Sequence, residues 1–254
     1  MLELIEHGDV REIRLARPPV NALNGELLDA LVAAVKSAAS ERAAMVISGR
    51  AGLFSAGLDV PAILALDHEG MMRVFATLWR AQQAIALSAV PVVFGITGHC
   101  PAGGTVLAIH ADYRVMAAGD FRLGLNEVQV GLYPGPVIHG AFRRLLGGHA
   151  AQMLTRGALV DPATALRMGL VDELREPAEC VARAVALAQE MIALPREAMQ
   201  RTRTMVREDL VALFGAPGDA EMLSREFAAI GAAMFGAPAT RERLQRMFAK
   251  KPQS

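Results

Sequence analysis

Residues 91–111 read PVVFGITGHCPAGGTVLAIHA, and the choice between two readings of them decides the fold. They close a run from residue 81 to 111 with no Asp, Glu, Lys or Arg, a length that by itself suits a membrane-spanning helix. Pro91, Gly95, Gly98, Pro101, Gly103 and Gly104 break the run, however, and VVFGI is short and β-branched. A buried strand, a Gly-rich turn and a helix account for it better. The same order occurs upstream: AMVISGR reads as a strand, AGLFSAGLDV as a small-residue loop, and the residues from there to about Ser88 as helix, with Met71, Met72, Phe75 and Trp79 at helical spacing. Repetition of strand, glycine turn and helix predicts an α/β fold with ligands bound where the strands end.

Towards the N-terminus, LELIEHGDVREIRLAR reads as a hairpin turning at His7, Gly8 and Asp9, with Ile13 and Leu15 facing inward. PPVNALN is a loop, and GELLDALVAAVKSAASERA is a helix with Leu27, Leu31 and Val35 on one face. Towards the C-terminus, YRVMAAG is a strand and VIHGAFRRLLG a helix. Beyond Pro195 the strand signals stop, and residues 196–254 read as amphipathic helices too thin to hold a core alone. The chain therefore divides into a core of residues 1–195 and a helical region of residues 196–254 that packs on the core or on another subunit.

Composition excludes several classes. The 26 basic and 26 acidic residues cancel, so net charge gives no reason to expect nucleic acid or an anionic membrane as partner. Hydrophobic residues make up 53% of the chain, enough for a sizeable core. Cys100 and Cys180 form no CxxC spacing, which fits free thiols in a reducing compartment. The first residues lack a basic segment followed by an apolar one, so a cytoplasmic location is expected. None of His7, His68, His99, His110, His139 and His149 belongs to a zinc motif, and Ser55 is not in a GxSxG elbow.

Chemistry concentrates in three places. The turns around Gly57 and Gly103 bring backbone close to a ligand, and two convergent N–H groups there would form an oxyanion hole. Neither turn is a phosphate loop. In RLGLNEVQVGLYPG (residues 122–135), Glu127 is the one ionised side chain after Arg122. A carboxylate on an apolar segment is either a strand residue facing water or a general base kept reactive by desolvation.

The ordered motifs PPVNAL, FSAGLD, GHCPAGG, DYRVMA, GLNEVQVGL, RMGLVDEL and MFAKKP resemble the enoyl-CoA hydratase/isomerase (crotonase) family over essentially the whole chain, and within it the 3,2-trans-enoyl-CoA isomerases. The resemblance implies a spiral of strand-strand-helix units with a helical C-terminal region that forms trimers or dimers of trimers. It implies an acyl-CoA thioester as substrate, coenzyme A being part of that substrate, with no separate cofactor and no metal. Oxyanion donors fall on the N–H groups of Leu58 and Gly103, and one of the two glutamates of the family's hydratases falls on Glu127. The other falls on Val106. Hydration needs two carboxylates, whereas moving a double bond from position 3 to position 2 needs one proton shuttle. The substrate residues implied are Arg17 at a phosphate, Ala22, Ala56 and Leu58 around the CoA, Asp59 as helix cap or polar group near the thioester, Leu132, and Phe248 with Lys250 and Lys251 at the C-terminal segment. Met71, Met72, Phe75 and Trp79 are either core or the wall of an acyl pocket.

Overall fold

In the computed structural model, which describes residues 1–216 and 218–248, Gly8 (φ +68) and Asp9 turn the chain between β1 (Leu2–His7) and β2 (Val10–Leu15). Asn24 then caps α1 (Gly25–Glu41) by accepting from Leu27 N–H at 2.9 Å. From here the chain winds in repeats. β3 (Ala44–Ser48) is followed by the short β4 (Gly52–Leu53) and by α2 (Val60–Leu64) and α3 (His68–Ala86). β5 (Val92–Ile96) is followed by β6 (Gly98–Pro101) and α4 (Gly103–Ala108). β7 (Tyr113–Ala117) is followed by β8 (Leu123–Gly124), a 3₁₀ turn (Glu127–Val130), α5 (Gly135–Leu146) and α6 (His149–Arg156). β9 (Leu159–Val160), α7 (Pro162–Met168), β10 (Glu173–Arg175) and α8 (Cys180–Ile192) complete the core.

Each repeat gives one strand to a large sheet and one to a small sheet. The large sheet has the order β1-β2-β3-β5-β7-β10, parallel throughout except for the β1–β2 hairpin. The small sheet has the order β4-β6-β8-β9, in which β4, β6 and β8 run parallel. This is the strand-strand-helix spiral that the resemblance implies. The central strand β3 is covered on both faces and buried at every position: Met45 and Ile47 enter the main core while Ala44 and Val46 meet the smaller core beneath α8.

Past Pro195, α9 (Arg196–Val206), α10 (Glu208–Ala212), α11 (Ala220–Gly236) and α12 (Pro238–Phe248) are all helical. They do not stand apart, since Leu210, Phe214, Ala228, Phe235 and Leu244 join the main core. An ion cluster reinforces the join: Asp112 accepts from Arg203 at 2.8 and 3.0 Å and from Arg207 at 2.8 Å. Arg207 also donates to the carbonyls of Ala86 and His110, and burial pushes its guanidinium down to about 10. α9 by contrast buries none of its residues, and leaves Met205 75% and Val206 59% exposed. Among the described residues no helix is long and apolar enough to cross a membrane.

Three local expectations change. The helix expected up to Ser88 is two helices, separated after Leu64 and restarted by Asp67, which accepts from Gly70 N–H. HCPAGG is not all turn, because residues 98–101 pair with β4 and β8. The Glu127 segment is not a strand: pairing ends at Gly124 (φ +135), and Gly131 (φ +85) closes the 3₁₀ turn.

Candidate active site

β4, β6 and β8 are parallel neighbours, so their C-terminal ends emerge side by side. Three consecutive turns of the spiral thus deliver the loop carrying Leu58, the N-terminus of α4 with Gly103, and the 3₁₀ turn with Glu127 to one place.

The Leu58 loop is fixed by its own small residues. Asn21 donates to Leu15 and Phe54 carbonyls at 3.0 Å, and Ser55 Oγ donates to Asn21 O while accepting from Gly57 N–H. Leu23 takes both polar groups around Leu58: its N–H donates to Gly57 O at 2.8 Å, and its carbonyl accepts from Asp59 N–H at 3.0 Å. The Leu58 N–H is left without a partner among the described residues, as is the N–H of Gly103. Gly57 needs glycine for its φ of +87, and also for space. A Cβ on Gly57 would lie 3.2 Å from Gly103 N, and one on Gly103 would lie 3.2 Å from Leu58 N. The two glycines keep clear the cradle between two unused donors. Ala102, at φ +47, enters α4 in a conformation rare for a residue with a side chain; its N–H donates to Gly124 O and its carbonyl accepts from Val106 N–H.

Glu127 opens the 3₁₀ turn, and its carboxylate atom Oε2 is buried with no partner among the described residues. Desolvation pushes its pKa up to about 7, although its own backbone N–H pulls the other way. The turn is braced by Gln129, whose Nε2 donates to Gly157 O at 2.8 Å.

These groups share an apolar cavity of about 170 Å³. That is less than the roughly 300–1,000 Å³ that encloses a whole drug-sized ligand, so it suits one end of a longer molecule. Glu127 is the one carboxylate among its described lining residues, and Asn126 and Tyr133 are the other polar side chains. Val106, 2% exposed, lines it from α4, and no second acid faces it among the described residues. No group of His, Cys, Asp and Glu among the described residues can hold a metal ion.

Of the residues singled out in the sequence, Ala56, Leu58, Phe75, Gly103, Glu127, Leu132 and Phe248 line the cavity. Arg17, Ala22, Asp59 and Met72 do not. Arg17 pairs with Asp59 at 2.8 Å and donates to Ala22 O at 2.9 Å, while Asp59 caps α2 through Ala62 N–H. Both charges are therefore already engaged within the protein. The choice between core and wall divides along α3: Met71 and Trp79 are core, Met72 packs against the core, and Phe75 belongs to both core and wall. Lys250 and Lys251 lie outside the described residues. Apart from Phe248, the sequence does not point to the wall supplied by α11 and α12, where Phe227, Gly231, Met234, Phe235, Leu244 and Met247 face the cavity. Its one signal is a glycine in mid-helix at position 231.

The model of the enoyl-CoA hydratase/isomerase family matches residues 6–221. The chain is 31% identical to the human mitochondrial enoyl-CoA delta isomerase 1 over 222 residues, covering 84% of this chain and 72% of that protein. It is 30% identical over 195 residues to a probable enoyl-CoA hydratase of Mycobacterium avium, covering 76% of each. Among solved structures, human mitochondrial delta3-delta2-enoyl-CoA isomerase superposes with a TM-score of 0.87 at 25% identity, over 97% of this chain and 96% of that one.

Proposed function

Because the chain belongs to the enoyl-CoA hydratase/isomerase family, we propose that it moves the double bond of an enoyl-CoA from position 3 to position 2. The observation that carries this reading is the single carboxylate: Glu127 is the one acid among the described residues lining a largely apolar cavity, and Val106, the position to which the family resemblance assigns a hydratase's second acid, lines it too. In this mechanism the thioester oxygen accepts from the N–H groups of Leu58 and Gly103. Glu127 removes a proton from C2, the charge spreads into a dienolate held by the two donors, and the same carboxyl returns the proton to C4. Loss of one such donor typically costs ~10²–10³ in rate. The apolar surroundings help twice, since they raise the basicity of Glu127 and exclude the water that hydration would need.

Incubation with a 3-enoyl-CoA and with a 2-enoyl-CoA, following conjugation and hydration separately, tests the reading. Isomerisation should exceed hydration by a wide margin. Equal rates would favour the hydratase activity named for the mycobacterial relative, and binding without turnover would favour a non-catalytic CoA-binding scaffold. The exposed apolar residues of α9 support a trimer or a dimer of trimers, which sedimentation at micromolar concentration reads directly; a monomer would refute it.

A further inference from the structure

Gly231 sits in the interior of α11, where glycine costs roughly 0.5–1 kcal/mol relative to alanine. Its surroundings explain it. A Cβ at this position would meet the Phe75 ring of α3 at 2.4 to 2.6 Å, where ordinary contact begins at 3.4 Å. The ring therefore lies flush against the bare backbone of α11. It is held there by Phe235, whose ring centroid is 5.2 Å away at an interplanar angle of 51°. Phe75, Gly231 and Phe235 all line the cavity, so the empty space beside the ring is the cavity itself. The position of one wall thus depends on the absence of a side chain at 231.

We infer that Phe75 and Gly231 act as a pair that sets how much hydrocarbon the site accepts, and that the acyl tail it takes is an unsubstituted alkyl chain. The inference rests on the acyl-CoA reading above and assigns the specificity of that same site. The wall of α3 and α11 offers a tail only Phe75, Leu78, Phe227, Ile230, Met234 and Phe235 besides the glycine, with no donor or acceptor for a hydroxyl or a second carboxylate. A polar group on the tail would be desolvated there without compensation. An added methyl at 231 must push the ring by about 1 Å to restore a 3.4 Å contact, and the cavity that the ring lines is open space to receive it. A smaller side chain at 75 does the reverse.

Calorimetric titration with saturated acyl-CoAs from butyryl- to palmitoyl-CoA reads this without turnover. For the native protein, the dissociation constant should tighten by roughly fourfold per added methylene until the cavity is full, and then level off. Gly231→Ala should level off about one to two methylenes earlier, because overpacking displaces side chains into whatever space is free. Phe75→Leu should level off later, and the double variant Phe75→Leu/Gly231→Ala should return towards the native length. Phe75→Leu alone decides the matter if Gly231→Ala does not fold. The same levelling length in every folded variant, or a native affinity that climbs to the longest chain, would overturn the inference while leaving the acyl-CoA reading intact. Failure to bind any acyl-CoA would overturn both.

Discussion

Replacing Glu127 by Gln keeps the shape of the side chain and removes its charge, so it separates what the carboxylate does for catalysis from what it costs the fold. Burial raises the Glu127 pKa from 4.5 to about 7 in the folded chain. A gap of that size, at ~1.4 kcal/mol per unit, means that the folded state holds the proton about 3 kcal/mol more firmly than the unfolded state does. The sign follows from the direction of the shift. Below pH 4.5 the group is protonated in both states and its stabilisation is fully present; it declines as pH rises and is gone above pH 7, where the folded chain must carry a desolvated charge. Gln remains neutral throughout. Urea unfolding of the two proteins should therefore show nearly equal stability below pH 4.5, with the variant more stable by about 3 kcal/mol above pH 7. Other titrating groups are common to both and cancel in the difference. The turnover number should fall by ~10²–10⁴, more than the Michaelis constant changes, since proton transfer belongs to the transition state. In the native enzyme, kcat/KM should drop tenfold per unit as pH falls below about 7. A stability difference that does not vary with pH would refute the desolvation argument. Near-native turnover in the folded variant would refute the role of Glu127 as base.

Gly103→Ala places a methyl 3.0 Å from Leu23 Cδ1 and 3.2 Å from Leu58 N, so the rate should fall by ~10²–10³ while saturated acyl-CoA still binds, as stopped-flow and titration would show. Val106→Glu should introduce measurable hydration of a 2-enoyl-CoA at a loss of stability, because the new carboxylate enters a position now 2% exposed. Asp112→Ala leaves Arg203 and Arg207 facing each other without their shared acid, so unfolding free energy at pH 7 should drop by ~3–5 kcal/mol in a denaturant titration.

What was legible in the sequence follows from how each feature is encoded. The strand–turn–helix repeat shows in short windows, because β-branched runs, glycines and helical spacing are local signals, and the hairpin, α1, β3, β5 and β7 fall where they were expected. Glu127 was visible as a charge out of place, but not its 3₁₀ turn: GLNEVQVGL has the apolar content of a strand, and the break comes from Gly131 and from contacts with α6. Arg17 and Asp59 each looked available for a ligand, and only the folded chain brings them to 2.8 Å of each other. The α11 wall was illegible for a different reason. An amphipathic stripe has the same period whether it covers a core, a partner or a cavity. Residues 219–235 therefore read as an amphipathic helix that packs on the core or on another subunit, and nothing in their spacing marks Phe227, Ile230 and Met234 as facing the cavity.

The cavity also shows why a second acid cannot be added to this fold without a cost. One carboxylate there already resists ionisation until about pH 7, with no charged partner among the described lining residues to offset it. A second acid at 106, in the same cavity, would meet the same desolvation and in addition the repulsion of Glu127, and both shifts raise pKa. Near neutral pH such a pair would share a proton rather than carry two charges. A pair that holds one proton can divide acid and base roles, as hydration requires, and donors added beside it would raise that rate further. The polar side chains now facing the cavity besides Glu127 are Asn126 and Tyr133, and neither lies on α4, the helix that carries Val106. With an apolar residue at 106, Glu127 keeps a pKa close to neutrality, where one group can both take and return a proton. On this argument the apolar residue at 106 is part of how Glu127 is tuned, and Val106→Glu should move the lower limb of the kcat/KM profile to higher pH as well as opening a route to hydration. An unchanged limb, in a variant that folds, would mean that position 106 and Glu127 do not sense each other.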